Sequence, residues 1–500
     1  MNKKRKYAYT AMTYLKLEVI ATNKKRRYAY TAMTSALLMI VAIIILNLVI
    51  SVASTKLPLK LDLTRDNILS FSDTTKDVIK NLDTKVNIIS LIPQTDNSRE
   101  MLQIDEVLKK YDTSSGKIKY TRVDTKRNPA VLNKYKLDGK ALASDYYVIF
   151  ETERMYSVVS VNDLLMMYKD KDTQSILAGA LSAEQYFSSA IVKVTKGSNI
   201  TAYVSTGHGE CFTADNFKNN ILPGSGYEFK DISLSNEDIP EKADMLILAS
   251  PETDYSAEEI EKIDAYLKTG GDIAIIGDAV TGDLTNLFAY MAEWGVSFDY
   301  GMAADDDQSN YAGYKTYILG QAEDNEIVNS MGVSSQQIVF PLARPVVIKD
   351  AIGVAATPLV TTGENGYIKQ NVYSSVDSFE DGDIRKKSNL AVMLTKQNSI
   401  DNSSHMFVIG TSLFMGDYSS ETSQFYTLLD ESGNRKFCSG VFAYMTDQPS
   451  SFYIMPKNIV QDKVIIDQLS IYIYTMITVV VIPVVILAWG LITWLRRRHS

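Results

Sequence analysis

The chain has 500 residues, 46% hydrophobic and 22% charged, which fits an ordered protein of roughly two or three domains and excludes wholesale disorder. Residues 1–35 hold nine bases and one acid (Glu18), and Arg496, Arg497 and Arg498 add three more bases, so residues 36–495 carry 39 bases against 58 acids, a balance of -19. So acidic a body excludes nucleic acid as a partner, because neutralising phosphates needs a basic face, and two distant cysteines, Cys211 and Cys438, exclude a disulfide framework or a C-x-x-C zinc ribbon.

The first elements concern the ends. Residues 1–34 form a basic tail in which Lys3–Thr13 recurs at Lys24–Thr34 with one change, Lys6 against Arg27. Two copies without a core pattern exclude a solenoid and leave a local duplication or an over-extended start. Residues 35–53 and 471–495 are apolar runs, each long enough for a helix of about 20 residues to cross the hydrocarbon core. Bases flank the first run before Ser35 and the second after Leu495. Because basic flanks stay inside, both termini (with 496–500 as a second basic tail) are expected in the cytoplasm and the main body outside, at the plasma membrane. The alternative for the first run is a signal cleaved after Ser51-Val52-Ala53, with a mature end near Ser54.

Residues 57–190 read as a first exported domain. Leu57–Leu63 alternates as a strand, Ser72 precedes a helical Val78/Ile79/Leu82 pattern, and strands are expected at Val86–Ile92, Ile118–Val123, Tyr146–Glu151 and Tyr156–Val161. Helices are expected over Ser98–Tyr111 and Ala130–Tyr135 and from about Asn162. This β-α-β-α-β-β-α order is thioredoxin-like. Pro93–Ser98 stands where an active C-x-x-C would be, so disulfide exchange through a low-pKa thiolate is not expected.

Residues 197–450 read as an α/β domain built on a doubly wound, flavodoxin-like sheet. Buried strands are expected at Ile200–Ser205, Ala243–Ala249, Asp272–Ile276 and Met406–Ile409, with helices near Ala214, over Ala257–Leu267 behind a Ser256-Ala-Glu-Glu259 capping box, near Gln424–Leu429 and over Val441–Met445. Between 300 and 400 the pattern fades. Apolar strands alternating with helices imply a parallel sheet, whose ligands sit at the carboxyl ends of its strands. Thr206, Gly207, His208, Gly209 and Glu210 lie at such an end.

Known catalytic spacings are missing. No G-x-x-x-x-G-K-[ST] phosphate loop, G-x-S-x-G elbow or H-E-x-x-H zinc helix occurs. The turn from Thr206 to Glu210 can be read as catalytic, as a ligand or partner site, or as a structural turn, since glycines allow close backbone approach and a histidine with a carboxylate can act on protons or bind a polar group. Cys211 is expected to pack rather than act as a nucleophile. Asp305-Asp306-Asp307 lacks calcium-loop spacing and is expected as a solvated acidic turn. No cofactor and no metal are expected.

Taken in order, Leu61-Asp-Leu-Thr-Arg-Asp66, Leu69-Ser-Phe-Ser72, Asn128-Pro129, Ser205-Thr-Gly-His-Gly-Glu210, Ile275-Ile-Gly-Asp278, Val408-Ile-Gly-Thr411 and Trp494-Leu-Arg-Arg-Arg498 give the chain a pattern that resembles the GldG-type family. These are gliding-motility-associated auxiliary, substrate-binding-like components of ABC transporters. The resemblance implies a glutamine-amidotransferase-like domain without amidotransferase chemistry, working beside a separate ABC ATPase and a multi-span permease in the bilayer. Asp278 and Ala279 follow Ile275-Ile-Gly277 where a cysteine elbow would stand. Two functions follow as expectations: a non-catalytic auxiliary subunit whose exported body binds substrate or envelope partners, or an envelope hydrolase or amidase using His208 and Glu210. Neither oligomeric state nor transported substrate is implied.

Overall fold

Alternate residues of Val86-Asn-Ile-Ile-Ser90 are buried, and in a strand alternate side chains share a face. In the computed structural model this run is the first strand of the unit Ile68–Ser500; the other compact unit is Met1–Asn67. The structure describes residues 70–460, with breaks at 138, 144, 170–173, 197–199, 281, 334–336, 401, 417–428, 430–431 and 448–452, and pieces of helix within 33–45 and 476–492. The expected strand Leu57–Leu63 lies outside the described residues, as does the helix expected near Gln424–Leu429 except for Leu429, which is helical and buried.

The first part of the unit runs α1 (Asp73–Lys80), β1 (Val86–Ser90), α2 (Arg99–Ser114), β2 (Ile118–Arg122), α3 (Ala130–Lys134), β3 (Tyr147–Glu151) and β4 (Tyr156–Ser160). Its sheet has the order β2-β1-β3-β4, with β1 parallel to β2 and the other pairs antiparallel. Ser72 caps α1 by accepting the Thr75 amide, one of the donors a helix start leaves unsatisfied. Val148 and Phe150 pack on one side of β3 with Leu108, Tyr111 and Phe187, while Ile149 packs on the other with Val131 and Tyr135.

The helix expected from Asn162 is a short 3-10 turn, Val161–Leu164, running into β5 (Leu165–Lys169), which pairs with β6 (Ile176–Leu181). The long helix comes later, as α4 (Ala183–Lys196). Its Glu184 is buried. One carboxylate oxygen accepts from both the amide (2.6 Å) and the hydroxyl (2.7 Å) of Ser72, and the other lies 2.6 Å from Lys457 Nζ. Lys457 Nζ also donates to the Ser70 carbonyl.

The second part carries β7 (Ile200–Ser205), β8 (Tyr227–Ile232), β9 (Met245–Ala249), α5 (Ala257–Lys268), β10 (Ile273–Ile276), α6 (Thr285–Glu293), β11 (Val296–Phe298), β12 (Met302–Asp305), β13 (Val346–Ile348), β14 (Val354–Thr361), β15 (Gly366–Lys369), β16 (Asn389–Ser399), β17 (Asn402–Ile409) and α7 (Asn434–Met445). Parallel strands run in the order β8-β7-β9-β10-β17. Met245, Ile247 and Ala249 of β9 enter one core with Phe437 and Val441 of α7. Leu246 and Leu248 enter the opposite core with Ile263 and Leu267 of α5. Burial on both faces explains why such strands read as continuous apolar runs.

Two parts of the expected fold class are corrected. First, among the described residues no helix is long and apolar enough to cross a membrane. The described part of the second apolar run includes the π-helix Met476–Val481, and an apolar composition does not by itself supply the continuous helix of about 20 residues that a crossing needs. The expectation of a transmembrane helix at each end of an α/β chain is therefore not met. Second, the large sheet is mixed: β16 pairs antiparallel with β17, and β14, β13 and β11 continue it antiparallel, beside several smaller sheets. The hairpin β16–β17 replaces a helical crossover with a tight antiparallel return.

Candidate functional site

In a parallel order that places β7 between β8 and β9, the strand sequence reverses direction between β7 and β9, and open α/β sheets receive ligands outside the carboxyl ends at such a reversal. The segment Thr206–Cys211 leaves β7 at this point. Gly207 and Gly209 have φ of 112° and 80°, values open to glycine and strained for other residues. At Gly209 a Cβ would also sit 3.0 Å from Glu252 Cβ.

The turn folds back over the sheet end. The His208 carbonyl accepts the amides of Glu252 (2.8 Å) and Thr253 (2.9 Å), the Cys211 amide donates to the Ala249 carbonyl (2.9 Å), and both the amide and the hydroxyl of Thr206 donate to the Ile232 carbonyl. The crevice between the β7 and β9 loops is thus closed by the chain's own hydrogen bonds.

Side chains of the turn point inward. His208 is 8% exposed. Its Nε2 faces both oxygens of Glu259 at 3.3 Å, its Nδ1 lies 3.5 Å from Glu210 Oε1, and its ring stands 4.0 Å from that of Tyr255. The Tyr255 hydroxyl donates to Ser205 Oγ (3.1 Å) and Glu210 Oε1 (3.2 Å), and Glu210 Oε2 accepts the His208 amide at 2.8 Å. Burial raises Glu259, but the Ser256 amide and hydroxyl and then His208 outweigh it and hold the carboxyl below its ordinary range. Burial, then the charge of Glu210, pushes the Tyr255 phenol well above its ordinary value.

Glu259 is the residue that sequence reasoning left in a smaller role. Its capping-box bonds are present, with Ser256 N donating to Oε2 at 2.8 Å and Glu259 N donating to Ser256 Oγ at 3.3 Å. The same carboxylate meets an imidazole 51 positions away. Beside it a second polar group forms: Asp278 accepts the Ser250 hydroxyl and, at 2.8 Å, the Ser412 amide. Ser250 reaches it by taking φ of 53° at the end of β9. Positive φ outside glycine was the one local irregularity here, and no spacing in the sequence announces it.

Cys211 Sγ donates to the Ala249 carbonyl at 3.2 Å. Cys211 is an exposed residue, yet desolvation of its sulfur, then the charge of Asp278, pushes the thiol up to about 12. Nucleophilic attack needs the thiolate, and the bond to the Ala249 carbonyl together with the raised pKa favours the thiol. The acidic run 305–307 is corrected from a solvated turn: Asp305 is fully buried, its carboxylate accepting the amides of Asp307 (2.9 Å) and Gly363 (2.8 Å), while Asp306 pairs with Lys315 (2.8 Å) and Arg385 (2.5 Å). No group of metal-ligating residues occurs among the described residues.

Residues 203–426 match the family model described as ABC-type uncharacterized transport system. The match spans the parallel strands from within β7 through β17, including the His208 turn. It indicates an auxiliary component of an ABC-type transport system for that stretch. No curated protein matches the chain significantly. Among solved structures the chain is similar to the mmIFT52 N-terminal domain (16% identity, TM-score 0.36, 49% of this chain and 97% of that one). It is also similar to ThuA-like proteins from Bacteroides uniformis (11%, 0.28, 51% and 95%) and Parabacteroides merdae (10%, 0.31, 52% and 98%). Overlaps at this level carry no functional argument.

Proposed function

We propose that this chain is a non-catalytic auxiliary subunit of an ABC transport system, working at the cell membrane with its body outside the cytoplasm, where it binds a substrate or an envelope partner. The ATPase and the multi-span permease are separate chains in this reading. The observation that carries it is the family match over residues 203–426. The resemblance to GldG-type components in the ordered motifs from Leu61 to Arg498 narrows the reading to that branch. Two features of the site support it. The sheet reversal where an α/β enzyme would take its ligand is filled by the Thr206–Cys211 turn, and the nearby Cys211 Sγ is spent on the Ala249 carbonyl.

The test is affinity purification of the tagged full chain from mild-detergent membranes. Recovery of a P-loop ATPase together with a polytopic permease is the expected result. A solitary chain, under conditions that keep a control transporter intact, overturns the reading.

A further inference from the structure

A cleft of about 1010 Å3 lies between the first sheet and the second. Its base is bridged by Gln185 of α4, whose amide nitrogen donates to the Gly224 carbonyl (3.1 Å) and whose carbonyl accepts the Ile454 amide (2.6 Å). One wall contains all five residues of β4, Tyr156 to Ser160, and the other the consecutive run Ser225 to Lys230 that leads into β8. A strand that turned a face to a cavity would contribute alternate residues. Consecutive lining means that both strands present their edges. Each is the terminal strand of its sheet among the described residues.

The open edge of β4 can be assigned atom by atom. The Thr152 amide bonds the Met155 carbonyl and the Val161 amide bonds the Tyr146 carbonyl, and antiparallel pairs alternate between bonded and non-bonded. Hence Ser157 and Val159 spend their backbone groups on β3, while Tyr156 and Val158 turn theirs toward the cleft; Ser160, whose carbonyl opens the 3-10 turn Val161–Leu164, turns only its amide there. The charge of the cleft opposes that of the body. Lys136, Lys193, Lys218, Lys230 and Arg435 line it against Asp163 and Glu228, although residues 36–495 balance at -19; Lys230 pairs with Glu228 at 3.0 Å and the buried Arg435 donates to the Asn220 and Ile221 carbonyls, which leaves the outer lysines to set the sign at the rim. Lys136 and Lys218 are exposed, and Lys136 is held at the rim by its amide donating to the Tyr156 hydroxyl at 3.2 Å.

We propose that this cleft binds an extended acidic polypeptide segment of a partner protein, which adds as a strand to the edge of β4 and presents its carboxylates to the lysines. Main-chain bonds to an open edge give affinity, and alternate side chains give selectivity. The inference does not depend on the transporter reading, because it is tested on the purified chain alone.

The probe is a fluorescein-labelled octapeptide of alternating Val and Glu, read by fluorescence anisotropy with the full chain in detergent. Comparators are the Val and Lys octapeptide and the Val and Glu octapeptide with an N-methylated backbone. Expected are binding of the acidic peptide, loss of binding on N-methylation, and about tenfold weaker binding for Lys136→Glu combined with Lys218→Glu. Val158→Pro deletes an amide at the open edge, a position where proline is tolerated, and is expected to abolish binding while Val158→Ala retains it. Should the proline variant fail to melt like the parent, the double charge reversal and the N-methylated peptide decide. Equal binding of the basic or the N-methylated peptide, or no binding of the acidic one, overturns the proposal. So does displacement by inorganic polyphosphate combined with full binding by a folded Val158→Pro, which would reassign the cleft to polyanions.

Discussion

His208 Nε2 and the carboxylate of Glu259 meet at 3.3 Å across the N-terminus of α5. One side chain therefore caps a helix and fastens the turn that closes the sheet reversal. Removing it leaves the Ser256 amide and a buried imidazole without their acceptor. Glu259→Ala is expected to destabilise the body by about 2 kcal/mol, and Glu259→Gln by less, because the amide oxygen still accepts from Ser256. Urea unfolding of the two variants checks this; equal and negligible losses would refute the dual role.

The Glu184 and Lys457 pair is buried at the carboxylate end and sits within three hydrogen bonds. Truncating one partner strands the other charge, so Lys457→Met is expected to cost about 3 kcal/mol, and Glu184→Leu with Lys457→Met together to recover part of it. A double-mutant cycle by denaturant titration measures the coupling. Additive losses would mean the two groups do not act as a pair.

Acid should weaken the body through the same group. Burial raises Glu184, but Lys457, then Ser72 and Thr75, lower it further, below the ordinary 4.5. A carboxyl depressed in the folded state contributes stability that is present above its unfolded value and is lost as pH falls through the folded one. Asp272 runs the other way: burial raises it more than His405 lowers it. The expected result is a loss of stability below about pH 4.5 that is shallower in Glu184→Gln, read as melting temperature against pH.

Neither thiol should label readily. Cys438 is buried and Cys211 exposed, but desolvation of the sulfur pushes both thiols up to about 12. In the native chain iodoacetamide alkylation at pH 7.5 is expected to be at least about tenfold slower than for a free thiol and to climb with pH without a plateau. Urea should uncover Cys438 and return both thiols to ordinary reactivity. Rapid stoichiometric labelling of the native chain at neutral pH would sink this account.

Calcium should be without effect at the 305–307 run, since the Asp305 carboxylate is already engaged by the Asp307 and Gly363 amides. Millimolar calcium is expected to leave the melting temperature unchanged, whereas Asp305→Ala should cost about 2 kcal/mol by freeing two amides. A calcium-dependent rise in melting temperature, abolished by that substitution, would restore the cation reading.

Local signals were legible where one element suffices to create them. The buried runs at Ile200–Ser205 and Met245–Ala249 are strands, and the Ser256 capping box opens α5. The helix expected from Asn162 was wrong because Val161 and Leu164 mimic a helical face, although the chain there makes only a 3-10 turn before β5. Between 300 and 400 β16 pairs with its neighbour, β17, but the strands β13 to β15 are short or antiparallel, with partners far away in the chain. No window of sequence holds such a pairing. The five residues from Thr206 to Glu210 were found by their glycines and their place after a strand. That His208 and Glu210 face inward, and that Glu259 and Tyr255 complete their surroundings, depended on α5 returning to the sheet end.

Glu184 binds Ser72 near one end of the described body and Lys457 near the other. Lys457 and Asn458 also pair antiparallel with Leu181 and Ala180 of β6, so tension applied at residues 70 and 460 would load this clasp and that pairing together. The two ends of the described body are thus tied to each other twice over, through the Glu184 carboxylate and through the Lys457 bond to the Ser70 carbonyl, so a displacement of one end is handed to the other without a change in the chain between them being required.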